Sequence, residues 1–315
     1  MYDTIIIGAG PAGMTAAIYA ARREMKTLII SKDVGGQVAL AFDIENYPGF
    51  TSINSADLIQ KMKDHVQALG VEIKGEEVKT IEKKDDHFIL YANKDKFETK
   101  TIILAMGLSP RRLAITGEKE FAGKGVSYCA NCDAPLYKKK TVAVAGGGNS
   151  ALDAAEVLSK IAAKVYLIHR SENFAAFDVL VDEVKGRKNI EVLLNSEVKE
   201  IIGENTLKKL KIFNSKENNT IEIDADGLFI EVGRIAHTDL VENFVKRDAR
   251  GQILVDEKCQ TSTEGVFAAG DVTQIEYKQI TTATGQGTIA ALAAYQYIQL
   301  KKGKTAVVLD RSVKK

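Results

Sequence analysis

The chain opens on a run of apolar β-branched residues, Thr4-Ile-Ile-Ile7, which passes through Gly8-Ala-Gly-Pro-Ala-Gly13 into a small, mostly apolar stretch at 14–23. A fully apolar run of this length, bounded by glycines, predicts a buried strand, a tight turn and a helix, with a second strand at 26–31. The same order returns from Gly8 to Gly146, 138 residues on: Thr141-Val-Ala-Val-Ala145, then Gly146-Gly-Gly-Asn-Ser-Ala151, then a helical stretch at 152–161. In each case the next strand begins 18 residues after the first glycine, at Lys26 and at Lys164. Further apolar runs predict strands at 101–107 and 265–271 and a helix at about 281–300.

A strand, a glycine turn and a helix suit a dinucleotide. The first glycine permits the turn, the second lets a pyrophosphate approach the backbone, and the third allows close packing of helix on strand, with the helix N-terminus facing the phosphates. Gly8, Gly10 and Gly13 take these roles first, and Gly146, Gly148 and Ala151 take them second. One such motif alone also reads, less often, as a structural glycine turn; two with matched internal spacing argue against chance. The fold class is therefore α/β, with two Rossmann-like dinucleotide-binding domains, the second inserted into the first. The first domain is expected at 1–111 and 241–315 and the inserted one at 112–240, the break following the change of character at Ser109-Pro-Arg-Arg112. Two dinucleotide sites suggest two dinucleotides exchanging electrons, a flavin held permanently and a nicotinamide that comes and goes. Asp271, closing the strand 265–271, is suited to sugar-like hydroxyls, and the N-terminus of the helix after it to negative charge on a reduced flavin ring. An ordinary strand-to-helix turn is the competing reading there.

Composition adds limits. At 315 residues, with 45% apolar and 27% charged residues, two ordinary globular domains are expected. A formal charge of +1 gives no electrostatic case for nucleic acid or an anionic membrane. Residues 4–21 and 279–300 are uncharged, but the first is broken by glycines and a proline behind Asp3, and the second is rich in Thr, Gln and Gly. Neither reads as a leader or a membrane span. Three cysteines do not make the disulfide framework of a secreted protein, so an unprocessed, cytoplasmic chain is expected.

Two of those cysteines stand in Gly125-Val-Ser-Tyr-Cys-Ala-Asn-Cys-Asp133. On a first helical turn this spacing puts both sulfurs on one face within disulfide reach, and a helix N-terminus lowers a thiol's pKa. Cys129 and Cys132 are thus a candidate redox couple, with Asp133 a candidate proton carrier or simply a favourable first-turn acid. A pair of buried thiols and a metal site are the alternatives. The remaining Cys259 and the scattered His65, His87, His169 and His237 supply no second paired ligand motif, so no metal is expected.

Taken in order, GAGPAG at 8–13, GGQ at 35–37, Ile44-Glu-Asn-Tyr-Pro-Gly-Phe50, CxxCD at 129–133, GGGNSA at 146–151 and GVFAAGD at 265–271 resemble the low-molecular-weight thioredoxin reductases over essentially the whole length. The stretch Cys132-Asp-Ala-Pro-Leu-Tyr137 is also similar to the alkyl hydroperoxide reductase flavoprotein, whose extra N-terminal thioredoxin-like region is not found in these residues. The partner is thus expected to be a separate protein. The resemblance implies FAD contacted by Gly8, Gly10, Ala12, Gly13, Gly36, Gln37, Asn46, Gly270, Asp271, Lys278, Gln279 and Ile280. It implies NADPH or NADH on Gly146, Gly148, Asn149, Ser150, Ala151, His169, Arg170 and Ser171. Electrons would pass from the nicotinamide through FAD and the cysteine pair to the disulfide of thioredoxin or a thioredoxin/glutaredoxin-like protein. Cys132 would face the flavin, Cys129 attack the substrate and Asp133 act as acid/base. The family also implies a homodimer, and rotation of the inserted domain about connections near 113–118 and 231–237.

The chain departs from the family at Leu167-Ile-His-Arg-Ser-Glu-Asn-Phe-Ala-Ala-Phe177. The family usually has two adjacent arginines there and a third a few residues on; only Arg170 remains, beside His169 where an acid would grip an NAD ribose. A relaxed or NADH-leaning preference is expected. Met106, in Ala105-Met-Gly107, stands where Thr is common. A flavin-dependent NAD(P)H oxidoreductase reducing ferredoxin, oxygen or another acceptor without the cysteines is the competing function, and a non-enzymatic redox or metal sensor a third.

Overall fold

Tyr2–Ala9 is buried along its middle because both faces of its sheet are covered. It pairs in parallel with Thr27–Val34 on one side and with Asp95–Leu104 on the other, bringing Ile6 level with Ile29 and Ile103. Glu72–Lys74 extends the sheet beyond the second strand, and Val266–Ala268 joins the far side of Asp95–Leu104, also in parallel. Ile6, Ile29, Ile103 and Phe267 face a core built by two helices, Pro11–Ala21 and Ile280–Lys301. The alternate residues Ile5, Ile7, Leu28, Ile30, Ile102 and Leu104 face a second core, closed by the antiparallel strands Val78–Lys83 and Phe88–Ala92 and by Val241, Val245 and Ile253. The computed structural model describes residues 1–41, 43–93 and 95–304.

The second unit repeats this plan. Val126–Ser127, Gly227–Ile230, Thr141–Ala145, Lys164–Ile168 and Ile190–Leu193 lie in that order, every pair parallel. The helices Asn149–Ser159 and Asp178–Gly186 cover one face. The meander Ser196–Gly203, Leu207–Asn214 and Asn219–Asp224 supplies Val198, Ile201, Leu210 and Ile212 to the other.

The units divide as Met1–Ala39, Ala56–Ser109 and the chain from Ile235 onward, against Leu40–Ser55 and Pro110–Arg234. The chain crosses a little earlier than the boundaries at 111/112 and 240/241 read from the sequence. Both crossings run through short paired strands, Leu108–Pro110 and Arg234–Ala236, and the turn Asp239–Val241 already belongs to the first unit, with Val241 buried in its core. The larger difference is Leu40–Ser55, read as part of the first domain. It closes on itself through the hairpin of Asp43–Ile44 with Ile53–Asn54 and through Ser55, whose hydroxyl donates to the Ala41 carbonyl. Helix starts also move: the first helix begins at Pro11, directly after Gly10, because proline at the first helical position loses no needed N–H.

Candidate active site

At the end of the strand Val126–Ser127 the chain turns through Tyr128 into the short helix Ala130–Asp133. Cys129 is the extended residue before that helix, and its carbonyl accepts the N–H of Cys132 at 3.3 Å and of Asp133 at 3.2 Å. This single turn brings the two Cα atoms to 5.3 Å, and Cys129 and Cys132 are joined as a disulfide.

Asp133 is held by a residue to which the sequence reading gave no role. The Ser127 hydroxyl donates to Asp133 Oδ2 at 2.6 Å and accepts the Cys129 N–H at 3.1 Å. Asp133 Oδ1 is buried with no hydrogen-bond partner among the described residues. Burial raises this carboxyl above the usual carboxylate range, and only the Ser127 hydroxyl pulls the other way. This carboxyl directly follows Cys132 in the chain and holds its proton more readily than an exposed aspartate does. The signal available in the sequence was position: a serine two residues before the first cysteine, on an edge strand that ends there.

The two glycine turns share one pattern of open and closed positions. A Cβ on Gly8 would lie 2.3 Å from the Ala105 carbonyl oxygen and one on Gly13 would lie 1.9 Å from that of Gly8, whereas one on Gly10 would meet nothing within 4 Å. In the second turn, a Cβ on Gly146 would lie 2.4 Å from the Glu231 carbonyl oxygen, while one on Gly148 would meet only the Ala175 oxygen at 3.8 Å. Ala151 fills the third role, fully buried under Gly146. Each helix starts at a glycine with no side-chain cap, so its first N–H groups face the open position. These cradles fit the pyrophosphates of FAD and of NAD(P)H.

Around the first turn, Gln37 Nε2 donates to Asp271 Oδ2 at 2.8 Å, joining residues 234 apart in sequence. Gly270 meets Ala12 so closely that a Cβ there would lie 2.8 Å from the alanine methyl, and a Cβ on Gly287 would lie 2.3 Å from the Ala12 carbonyl oxygen. Gln279 caps the last helix, which begins at Ile280, by a reciprocal capping box with Thr282. Lys278 gives its ammonium to Gln252 Oε1, the Asp271 carbonyl and the Thr273 carbonyl at 2.6–3.0 Å, and so shapes the loop 271–278. Gln286 receives the Gly270 N–H at 2.8 Å and the Thr273 hydroxyl at 3.1 Å. Gln252, Thr273 and Gln286 were not singled out in the sequence. Asn46 lies in the segment Leu40–Ser55, which is grouped with the second unit. Gly36 lies 3.6 Å, measured from its would-be Cβ, from the Cα of Gly10.

At the second turn, the His169 ring lies flat over Gly147, where a Cβ would come within 2.1 Å of Nδ1. Its Nε2 is 3.0 Å from the Asn173 carbonyl, so Nε2 carries the hydrogen, and the ring stacks on Phe174 at 5.5 Å. The loop 171–177 is pinned to the turn by the Ala175 N–H on the Gly147 carbonyl, at 2.8 Å, and the Phe177 N–H on Asn149 Oδ1, at 2.9 Å. Ser150, Arg170 and Ser171 are exposed at this rim. The Ser171 carbonyl accepts the Asn195 N–H.

Residues 2–287 match the model of the pyridine nucleotide-disulphide oxidoreductases. The chain belongs to that family. It is 40% identical to a 34.2 kDa protein in the rubredoxin operon of Clostridium pasteurianum, over 94% of this chain and 97% of that one. It is 39% identical to the thioredoxin reductase of Treponema pallidum, with the same coverage of both. The crystal structure of thioredoxin reductase from Streptococcus pyogenes superposes with a TM-score of 0.91 at 38% identity, over 95% of this chain and 99% of that one. This oxidoreductase is accordingly an FAD-dependent enzyme that passes electrons from NAD(P)H to a disulfide.

Cys259 is a free, buried thiol. Its side chain is 2% exposed in the first core and its thiol is pushed up to about 12, mainly by burial. Among the described residues no group of three or more His, Cys, Asp or Glu could hold a metal, and no helix is long and apolar enough to cross a membrane.

Proposed function

We propose that this oxidoreductase reduces the disulfide of thioredoxin or a thioredoxin/glutaredoxin-like protein, with Cys129 and Cys132 as the exchanging pair. The observation that carries the reading is the Cys129–Cys132 disulfide followed by the half-buried Asp133, on a strand end two strands from a dinucleotide turn. FAD, when bound, takes two electrons from NAD(P)H and delivers them to this disulfide. In the proposed division, the first unit holds FAD through Gly8, Gly10, Ala12, Gly13, Gly36, Gln37 and the segment 270–280, and the second holds the nicotinamide dinucleotide on 146–151 and 169–171. Cys132 receives the electrons and Cys129 attacks the partner's disulfide, forming a mixed disulfide that Cys132 then resolves. Asp133 supplies the proton that the partner's departing sulfur takes up.

The same rim suggests the donor. The His169 Nε2–H is committed to Asn173, and Arg170 is the one guanidinium carried by 169–171, which favours NADH over NADPH. The reading carries with it a homodimer and a reducing, cytoplasmic setting. The test is kcat/KM for NADH and NADPH with a thioredoxin disulfide as acceptor, on the wild type and on Arg170→Ala. A higher value for NADH, with the residual NADPH activity falling further in Arg170→Ala, supports the assignment. A strong NADPH preference unaffected by Arg170→Ala contradicts it.

A further inference from the structure

The loop 171–177 runs from the end of the strand Lys164–Ile168 back to the second glycine turn, and its last residues are fixed there. Ala175 bridges Gly148 in parallel, its N–H donates to the Gly147 carbonyl at 2.8 Å, and the Phe177 N–H donates to Asn149 Oδ1 at 2.9 Å. Along this extended stretch the side chains alternate. Phe174 and Ala176 pack against the core beneath the helix Asn149–Ser159, while Ala175 and Phe177 are exposed. Phe177 is 68% exposed, more than any other phenylalanine among the described residues. It is also the residue before the helix Asp178–Gly186 and makes no side-chain cap there. Serine, threonine, aspartate or asparagine would stabilise that position by capping, and burial would stabilise a phenylalanine; the fold draws neither benefit from this ring. A local rule broken without a gain in packing marks a position held for function.

We propose that Phe177 is the adenine platform of the second unit, a specificity-determining residue for the electron donor. The proposal rests on the reading of this unit as the site of the nicotinamide dinucleotide. In a strand–turn–helix unit the pyrophosphate lies at the helix N-terminus, here Gly148 and Asn149, and the adenosine runs toward the end of the next strand, here Ile168. The loop 171–177 joins these two places, so its exposed side borders the path of the adenosine. On that side Ser171 and Ala175 offer no cation, and the Phe177 ring is the large apolar surface. Adenine presents an aromatic face, and an aromatic ring whose backbone is already fixed stacks on it at low entropic cost. NADH and NADPH share that face, so the ring sets affinity for both, while Arg170 is left to tell them apart at the 2′-phosphate.

The test measures kcat/KM of flavin-containing enzyme with a thioredoxin disulfide as acceptor. The donors are NADH, NADPH and reduced nicotinamide mononucleotide, which lacks the adenosine. Phe177→Ala is expected to lower kcat/KM for NADH and NADPH alike by about five-fold or more, through KM, the loss that truncating a base-stacking aromatic produces. The value for the mononucleotide should stay at the wild-type level. Phe177→Trp, which keeps an aromatic face, is expected to recover NADH. AMP, competing with NADH, reads the same contact: its Ki should rise by the same factor in Phe177→Ala, and this carries the test where the mononucleotide is too slow a donor. An unchanged KM for NADH with an unchanged Ki for AMP overturns the proposal, as does an equal loss with NADH and the mononucleotide. A loss confined to KM for the thioredoxin disulfide also overturns it, and would assign Phe177 and the exposed Val179 to the partner's surface instead. Failure of NADH to bleach the wild-type flavin anaerobically defeats the reading of the second unit, and is seen without any variant.

Discussion

Removing the hydroxyl of Ser127 isolates the control of the acid beside the disulfide. In Ser127→Ala, Asp133 Oδ2 loses its 2.6 Å donor, and Oδ1 has no partner to take over. A hydrogen bond to a charged group contributes about 1.5–3 kcal/mol, which at 1.36 kcal/mol per unit raises the acid's pKa by about one to two units. Asp133 already stands above the ordinary carboxylate range through burial, and the variant moves it further up. The alkaline limb of kcat/KM for a disulfide acceptor, where the acid gives up its proton, therefore moves to higher pH by that amount. The maximal rate falls as well, because the Cys129 N–H loses the same hydroxyl. Stability follows the linked sign. A carboxyl with a folded pKa above its unfolded one costs stability as pH rises from the unfolded value through the folded one. Ser127→Ala thus deepens the loss near neutral pH and has its smallest effect in acid, where Asp133 is protonated in both states. The assay is a pH profile with denaturant unfolding at two pH values, and Ser127→Thr, which keeps a hydroxyl, should restore the limb. A flavin-replete Ser127→Ala whose limb stays in place or moves down refutes the reasoning.

Glu118 is 3% exposed and receives the N–H groups of Leu113 and Ala114 and the Tyr128 hydroxyl, so it holds the segment after the first crossing to the residue before Cys129. Glu118→Ala orphans these donors and should cost about 2–4 kcal/mol in denaturant unfolding, with Gln recovering part of it. Gly287→Ala drives a methyl against the Ala12 carbonyl oxygen, separates the last helix from the first and should release FAD on dialysis, measured by the flavin absorbance retained per chain. Native, fully reduced enzyme at pH 8 should alkylate at two cysteines, with Cys259 reacting only after unfolding, because its thiol lies near 12.

The parts of this enzyme that were legible in its sequence are the locally determined ones. Gly8-Ala-Gly-Pro-Ala-Gly13 and Gly146-Gly-Gly-Asn-Ser-Ala151 are each contiguous, and their backbone demands show in residue type alone. The cysteine pair is legible for the same reason, since one turn of chain sets its geometry. What escaped depends on partners far apart in the chain. Gln37 meets Asp271 across 234 residues, and Gln286 and Gln252 act on the loop 270–278 from separate elements. The grouping of Leu40–Ser55 with the second unit was not legible, because its short hairpin has few apolar positions to show on which side of the boundary it falls. At His169 the missing acid was visible, but the folding of the ring over Gly147 was not, since that contact exists only once two neighbouring strands are paired.

The central claim is that electrons leave this enzyme through Cys129 and Cys132. It is tested most directly by anaerobic titration of flavin-containing wild type and of Cys129→Ser/Cys132→Ser with NADH, followed by a thioredoxin disulfide. The wild type should consume one equivalent of donor beyond that needed to bleach its flavin and then reduce the added disulfide. The double variant should bleach with one equivalent fewer and leave the disulfide intact. Equal donor uptake by the two proteins, with the thioredoxin disulfide reduced by both, would contradict the account and favour an acceptor served by the flavin alone.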